Sequence, residues 1–295
     1  MESSRAELIG RMARACPQDG RIEPFNGLFL ARASAPMPPV YSVAQPCFCV
    51  IAQGRKAMHL GDKTHHYDAQ NFLLSCLELP ASFQVLEASL ERPYLGLRLN
   101  LDPVLIGSIL VEIGTAAPAT GKTQAVEVSP LDSALLDAVL RMVRLIDSPG
   151  DANFLLPLLK REIVYRLLKG EQGKRLRRMM FLGGHSHRIA RAAEKIAREF
   201  SQTLRVEELA RECGMSVSGF HQHFKAITAL SPLQFQKQVR LQEARRLLLG
   251  QNLDAATAGY RVGYDDASHF TREYKRFFGA PPMRDVEQLR AASAI

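Results

Sequence analysis

GYDDASHFTREYKRFFG, residues 263–279, joins a glycine and an aromatic to two acids, a histidine and a run of basic and aromatic residues. Two readings compete for it: a catalytic or metal constellation of Asp265, Asp266 and His269, or one half of a helix pair that reads a polymer. An internal repeat decides between them. LARECGMSVSGFHQHFK (209–225) lies over AGYRVGYDDASHFTREYK (258–275): Gly214 matches Gly263 at an offset of 49, and Phe220, Phe224 and Lys225 match Phe270, Tyr274 and Lys275 at an offset of 50. Each copy is a short helix, a turn opened by glycine, and a second helix. The glycine supplies the positive φ of the turn, and aromatics at i and i+4 anchor the second helix. Asp265 and Asp266 then fall at a helix start, where one caps free N–H groups and both suit the positive end of the dipole. His269, beside Phe270, packs at the helix–turn junction.

Outward from the repeat, SPLQFQKQVRLQEARRLLLG (231–250) reads as a continuous helix. Its run of about 18 residues spans roughly 27 Å. Two helices held apart by such a strut suit successive major grooves, which recur at about 34 Å. The charge agrees. Residues 1–170 carry 17 Lys+Arg and 17 Asp+Glu, whereas 171–295 carry 21 and 13, so the whole net charge of +8 sits in the last 125 residues. A basic half joined to a neutral half predicts that one domain meets a polyanion and the other does not. The basic residues spread over several helices, which favours duplex DNA over a membrane surface.

Here the sequence resembles the AraC/XylS family of bacterial transcription regulators. The resemblance covers about 190–284 and rests on RLQEARRLLL, VGYDDASHFTREYKRFFG and the proline pair after the final glycine. It implies a sequence-specific regulator that binds double-stranded promoter DNA, works with RNA polymerase and forms a homodimer. Four positions depart from the family pattern. Gly259 replaces an alanine, which should weaken its helix by roughly 1 kcal/mol; Ala229 replaces a glycine, Arg205 a Ser or Thr cap, and Asp285 a tyrosine. With Phe220 and Phe224 inward, Ser218, His221 and Gln222 face outward in the first recognition helix. Ala267, Ser268, Thr271 and Arg272 do so in the second. Gln222 suits adenine N6 and N7, and Arg272 suits guanine O6 and N7, each in bidentate fashion. Ser216, Lys225, Lys275 and Arg276 are the phosphate candidates, which position the protein without reading sequence.

The neutral half is β-rich. From about 22 to 101 it reads as short strands with hairpin turns at Gly54 and Gly61-Asp62. PYLGLRLNLD (93–102) puts Leu95, Leu97, Leu99 and Leu101 on one face by alternation. After Asp102-Pro103 the pattern is helical: PVLIGSILVEI, a Gly/Ala/Pro/Thr-rich loop at 114–123, then two amphipathic helices joined by SPGDA. The stripe Leu159, Ile163 and Leu167 either packs on the sheet or forms a dimer seam. The predicted fold class is α+β: a β-rich, cupin-like barrel or sandwich with a helical hairpin, then an all-α domain of two helix-turn-helix units joined by a long helix. The boundaries are 1–169 for the sensory and dimerisation domain, 170–186 for a glycine-rich basic linker, and 187–295 for the DNA-binding domain.

QGRKAMHLGD and ERPYLGLRLNLDP resemble the sensory domain of one branch of the same family, which implies a small-molecule effector inside the barrel; Tyr41, Phe48, His59, Tyr67 and Arg98 are the candidate lining. An alternative makes this domain a pure dimerisation module. His59, His65 and His66 lack ligand spacing, since adjacent strand residues face opposite ways, so no metal and no cofactor is expected. No catalytic triad or phosphate-binding loop assembles, so the chain reads as no enzyme. The enzyme-class rival, a DNA-alkylation repair protein, needs a thiolate cluster that Cys47, Cys49 and Cys76 do not supply. Five cysteines without framework spacing argue against a disulfide scaffold. With no apolar run of about 18 residues and no leader pattern, the expectation is a cytoplasmic protein.

Overall fold

The computed structural model describes residues 1–114, 124–180, 185–251 and 253–293, and the chain divides into two compact units, Met1–Ala190 with Ala226–Ala229, and Arg191–Lys225 with Leu230–Ile295. In the N-terminal unit a helix α1 (Glu2–Ala15) precedes nine strands: β1 (Gly20–Phe25), β2 (Leu28–Ala33), β3 (Val40–Ala44), β4 (Cys47–Gln53), β5 (Arg55–Leu60), β6 (Lys63–Asp68), β7 (Asn71–Ser75), β8 (Leu79–Glu87) and β9 (Tyr94–Asn100). Then come α2 (Pro103–Glu112), β10 (Val126–Pro130), α3 (Ser133–Arg144), α4 (Pro149–Lys169) and α5 (Gly173–Met180). A six-stranded sheet runs β1-β2-β9-β4-β7-β10 and a four-stranded sheet runs β3-β8-β5-β6, with every pair antiparallel.

Alternation explains how the large sheet is covered. Leu28, Leu30, Phe48, Val50, Phe72, Leu74, Leu95, Leu97 and Leu99 share one face and merge with Leu8, Met12, Leu135, Val139, Met142, Val143, Leu159, Ile163 and Leu167 from the helices in a single core. The stripe on α4 is therefore buried in this core, beside α3. Asp102 and Asp132 cap α2 and α3 through their carboxylates, accepting from Val104 N (2.8 Å) and Leu135 N (2.7 Å). The other face of the large sheet, with Cys47, Cys49, Tyr94, Arg98 and Asn100, turns toward the small sheet.

Two features of this unit depart from the sequence reading. Helix α1 was not anticipated. The expected linker is helical over α5, whose Leu176 is buried in the N-terminal core and whose Arg175 pairs with Glu127. Its glycine content misleads, because Gly173 is there for packing: a Cβ would meet the Leu168 carbonyl oxygen at 1.8 Å. The loop predicted at 114–123 falls outside the described residues beyond Gly114, and the Arg178 side chain is likewise outside them.

The C-terminal unit is helical throughout: α6 (His185–Arg198, begun in the preceding unit), α7 (Val206–Glu212), α8 (Val217–Thr228), α9 (Pro232–Gln251), α10 (Ala255–Arg261), α11 (Ala267–Phe278) and α12 (Pro282–Ser293). α9 matches the helix predicted over 231–250 within one residue at each end; α12 is additional. At 20 residues, α9 spans about 30 Å.

Candidate nucleic-acid interface

The two glycine turns are the same structure. Gly214 (φ 61°) and Gly263 (φ 91°) occupy the left-handed region. In each, the glycine N–H donates to the carbonyl three residues back, Arg211 at 2.9 Å or Tyr260 at 3.0 Å. The next N–H donates five residues back, Met215 to Ala210 at 2.9 Å and Tyr264 to Gly259 at 3.0 Å. This paired bonding satisfies carbonyls that a helix end leaves open and sets a sharp exit. A Cβ at Gly263 would also strike the Ser201 carbonyl oxygen at 2.1 Å.

The second helix of each unit then starts on a side-chain cap. Asp266 accepts from His269 N at 2.5 Å, and Ser216, one repeat earlier, accepts from Gly219 N at 3.2 Å. Ser216, the phosphate candidate of this unit, is exposed and uses its oxygen as the cap of α8, which leaves its hydroxyl proton to donate. Phe220 and Phe224, with ring centroids 5.5 Å apart, and Phe270 and Tyr274, at 5.6 Å, are fully buried. They fix which sides of α8 and α11 face water.

On those sides Ser218, Gln222 and Lys225 are exposed and His221 is half-buried; Ser268, Arg272, Lys275 and Arg276 are exposed, and Ala267 and Thr271 half-buried. The structure thus gathers the base-reading candidates into one stripe per helix. Their hydrogen-bonding freedom differs. Thr271 Oγ donates to the Ala267 carbonyl at 2.9 Å, which leaves its lone pairs for a base. Arg276 pairs with Glu273 at 2.7 Å. Among the described residues Arg272 makes no ion pair, with Asp265 or Glu273 or any other acid. Glu273 also accepts from Lys237 (3.2 Å) and Tyr264 Oη (3.0 Å); burial alone would raise its carboxyl, but these bonds carry it below its ordinary value. His269 packs edge-on to Tyr264, ring centroids 5.6 Å apart.

Sequence reasoning passed over the residues that orient these helices. Arg240, on α9, donates to the carbonyls of Phe200 (2.6 Å), Gln202 (2.9 Å) and Gly263 (2.8 Å), clamping the segment before α7 to the second glycine turn. Arg245 holds the buried Asp285 through two bonds of 2.8 and 2.7 Å, and Tyr274 Oη donates to the same carboxylate at 2.7 Å. Asp285, a departure from the family pattern, is therefore fully engaged. Arg205 provides no side-chain cap to α7.

In the N-terminal unit the effector candidates separate. Tyr67 and Arg98 lie between the sheets. Phe48 does not: its ring is in the core under the helices, because odd and even residues of β4 face opposite ways. Tyr41 and His59 both neighbour Ser82 in register and share the face opposite Lys56 and Met58; His59 is held by Thr64 (3.0 Å) and Gln84 (3.4 Å). Cys47 and Cys49 sulfurs sit 3.6 Å apart, and burial pushes the Cys76 thiol up to about 12. Among the described residues no group of three or more His, Cys, Asp or Glu is arranged to hold a metal ion, and no helix is long and apolar enough to cross a membrane.

Residues 24–175 match the family described as AraC-type transcriptional regulator N-terminus, and residues 209–288 match a helix-turn-helix domain. The HTH-type transcriptional activator RhaS of Salmonella schwarzengrund (strain CVM19633) is 27% identical over 165 residues, 55% of this chain and 58% of the relative. RhaS of Salmonella typhimurium (strain LT2) gives the same identity over the same length. The match thus spans less than two thirds of these relatives. Among solved structures, ToxT from Vibrio cholerae O395 bound to (E)-4-(8-methylnaphthalen-1-yl)but-3-enoic acid covers 88% of this chain and 97% of its own, with TM-score 0.58 and 11% identity. Wild-type ToxT from strain SCE256 bound to an unsaturated fatty acid covers 88% and 93%, with TM-score 0.55 and 9% identity. At these identities the likeness is one of fold.

Proposed function

The chain belongs to the AraC family of transcription regulators, and from that membership and its two matched reading helices we propose a sequence-specific DNA-binding regulator, an activator like the RhaS relatives, acting in the cytoplasm. The observation that carries this reading is the repeat made physical: matching glycine turns, matching capping positions and matching aromatic anchors present Ser218, His221 and Gln222 on one helix and Ser268, Thr271 and Arg272 on the other. Lys225, Lys275 and Arg276 supply phosphate contacts at the flanks. RNA polymerase is the further partner, by family. Selection from a random duplex pool with the full-length protein is expected to enrich two conserved blocks about one helical turn, 10–10.5 bp, apart. A recovered pool with no common sequence would sink the reading.

The N-terminal domain, in this reading, takes a small effector between its two sheets and forms the homodimer through α2 and α4. The support for the seam is exposed apolar surface. Phe154, Leu158 and Tyr165 recur along the outer side of α4, and Val104 and Val111 stand out from α2, with exposures from 43% to 82%. Glu112 and Arg161 pair between the two helices. Large apolar side chains exposed together in this way mark a protein–protein contact.

A further inference from the structure

Between the two sheets stand two cations, Lys56 and Arg98, that among the described residues have no carboxylate within ion-pair distance. In register, Arg98 stands opposite Cys49 on the inner face of the large sheet, and Lys56 stands opposite Tyr67 on the inner face of the small one. Among the described residues neither Lys56 nor Arg98 makes an ion pair. Aromatic faces stand in for the missing anion: Lys56 Nζ lies 4.9 Å from the Phe83 centroid and 5.7 Å from that of Tyr94, and the Arg98 guanidinium lies 4.4 Å over Phe29. Arg21 approaches the same Phe29 ring at 5.0 Å, adding positive charge at the edge. Burial pushes the Lys56 ammonium below its ordinary value.

Two polar atoms on the inner face of β9 are buried without a partner. They are Arg98 Nε, a donor, and Asn100 Oδ1, an acceptor two residues along the same face. A fold has no reason to keep a lysine, an arginine and an unanswered amide oxygen together inside a barrel, because burying unpaired charge and unbonded polar atoms is costly. The same set is what a small polar ligand needs. Lys56 and Arg98 are each half-buried as residues, with the Arg98 Nε shielded from water. A duplex could not reach the buried Arg98 Nε.

We propose that the barrel binds its effector through an anionic group, a carboxylate seated between Lys56 and Arg98, with the aromatic rings against the ligand body and a ligand hydroxyl or N–H donated to Asn100 Oδ1. This rests on the effector reading above and adds the ligand's chemical class. A carboxylate there would accept from the ammonium and the guanidinium and turn a repulsive pair into a bridged one.

The test uses the full-length protein with benzoate, 3-phenylpropanoate and decanoate, each set against its primary amide, followed by thermal shift and calorimetry. The expected result is stabilisation by carboxylates only. Lys56→Met and Arg98→Met should each weaken binding on the order of tenfold or more, while Lys56→Arg retains it and controls for folding. Equal binding of amides and carboxylates, unchanged in the Met variants, overturns the anionic assignment and leaves an effector-binding barrel. Binding by neither series overturns both. Iodoacetamide labelling then supplies the other explanation: slower alkylation of Cys49 in Lys56→Met would make the Cys49 thiolate the lysine's counter-ion.

Discussion

Arg272 and Lys275 sit three residues apart on one exposed helix surface, yet their chemistry separates their roles. Arg272 presents a planar fork with no acid partner among the described residues, suited to guanine O6 and N7, whereas Lys275 presents a point charge. Arg272→Ala should therefore cost about 1–3 kcal/mol on the selected site and relax preference at one base pair. Lys275→Ala should weaken specific and random DNA alike and lower the salt slope by about 1. Fluorescence anisotropy on both DNAs across a salt series measures this, and equal losses on the two DNAs for Arg272→Ala would remove it from base reading. Ala229 carries a different strain. It closes α8 at φ 62°, the left-handed region that a side chain disfavours. Ala229→Gly should stabilise the protein by about 1 kcal/mol, read as a higher denaturant midpoint with unchanged slope; an unchanged or lower midpoint would show that the turn carries no strain.

Helix α10 shows how an element can be judged correctly and one of its residues misjudged. On propensity alone Gly259 weakens this helix, and alanine would gain roughly 1 kcal/mol. The fold reverses the sign. A Cβ at Gly259 would lie 2.9 Å from two carbons of the Phe270 ring, which is fully buried between Tyr264 and Tyr274. Overpacking of this kind costs about 1–3 kcal/mol, so Gly259→Ala should lower the melting temperature, and a rise would show that the ring can move aside. The helix pairs were legible because glycine, cap and aromatic anchors all recur at fixed offsets, and every level of signal agreed. The barrel was legible in its strands but not in its lining. Six consecutive residues of β4, from Cys47 to Ala52, are buried, so alternation shows that both faces are covered without showing which lies under helices; Phe48 was misplaced for that reason. Helix α1 has only Leu8 and Met12 fully buried, too thin a stripe to stand out in a polar N-terminus. Arg240 acts on four backbone carbonyls, and no pattern of side chains in the sequence announces such partners.

Across the whole chain the charge and the apolar surface fall in different places, and each belongs to a different task. The unit that carries the two helix pairs, residues 191–295, holds a net +4, while the N-terminal unit exposes Phe154, Leu158, Val104 and Val111. Counter-ion release lets the basic half hold DNA of any sequence, and the proposed dimer through the N-terminal half would multiply the reading heads on one operator without new contacts to DNA. Leu158 is the residue on which to test this, because it is 53% exposed and its loss should leave the core of its own domain intact. Leu158→Asp puts a charge at the centre of the apolar surface, where desolvation on association is most costly. The dimer Kd measured by sedimentation should rise more than about tenfold, equivalent to at least 1.4 kcal/mol. Affinity for an operator with two half-sites should fall in parallel, and affinity for a single half-site should not change. A Leu158→Asp protein that sediments as the wild type would place the seam elsewhere on the N-terminal domain.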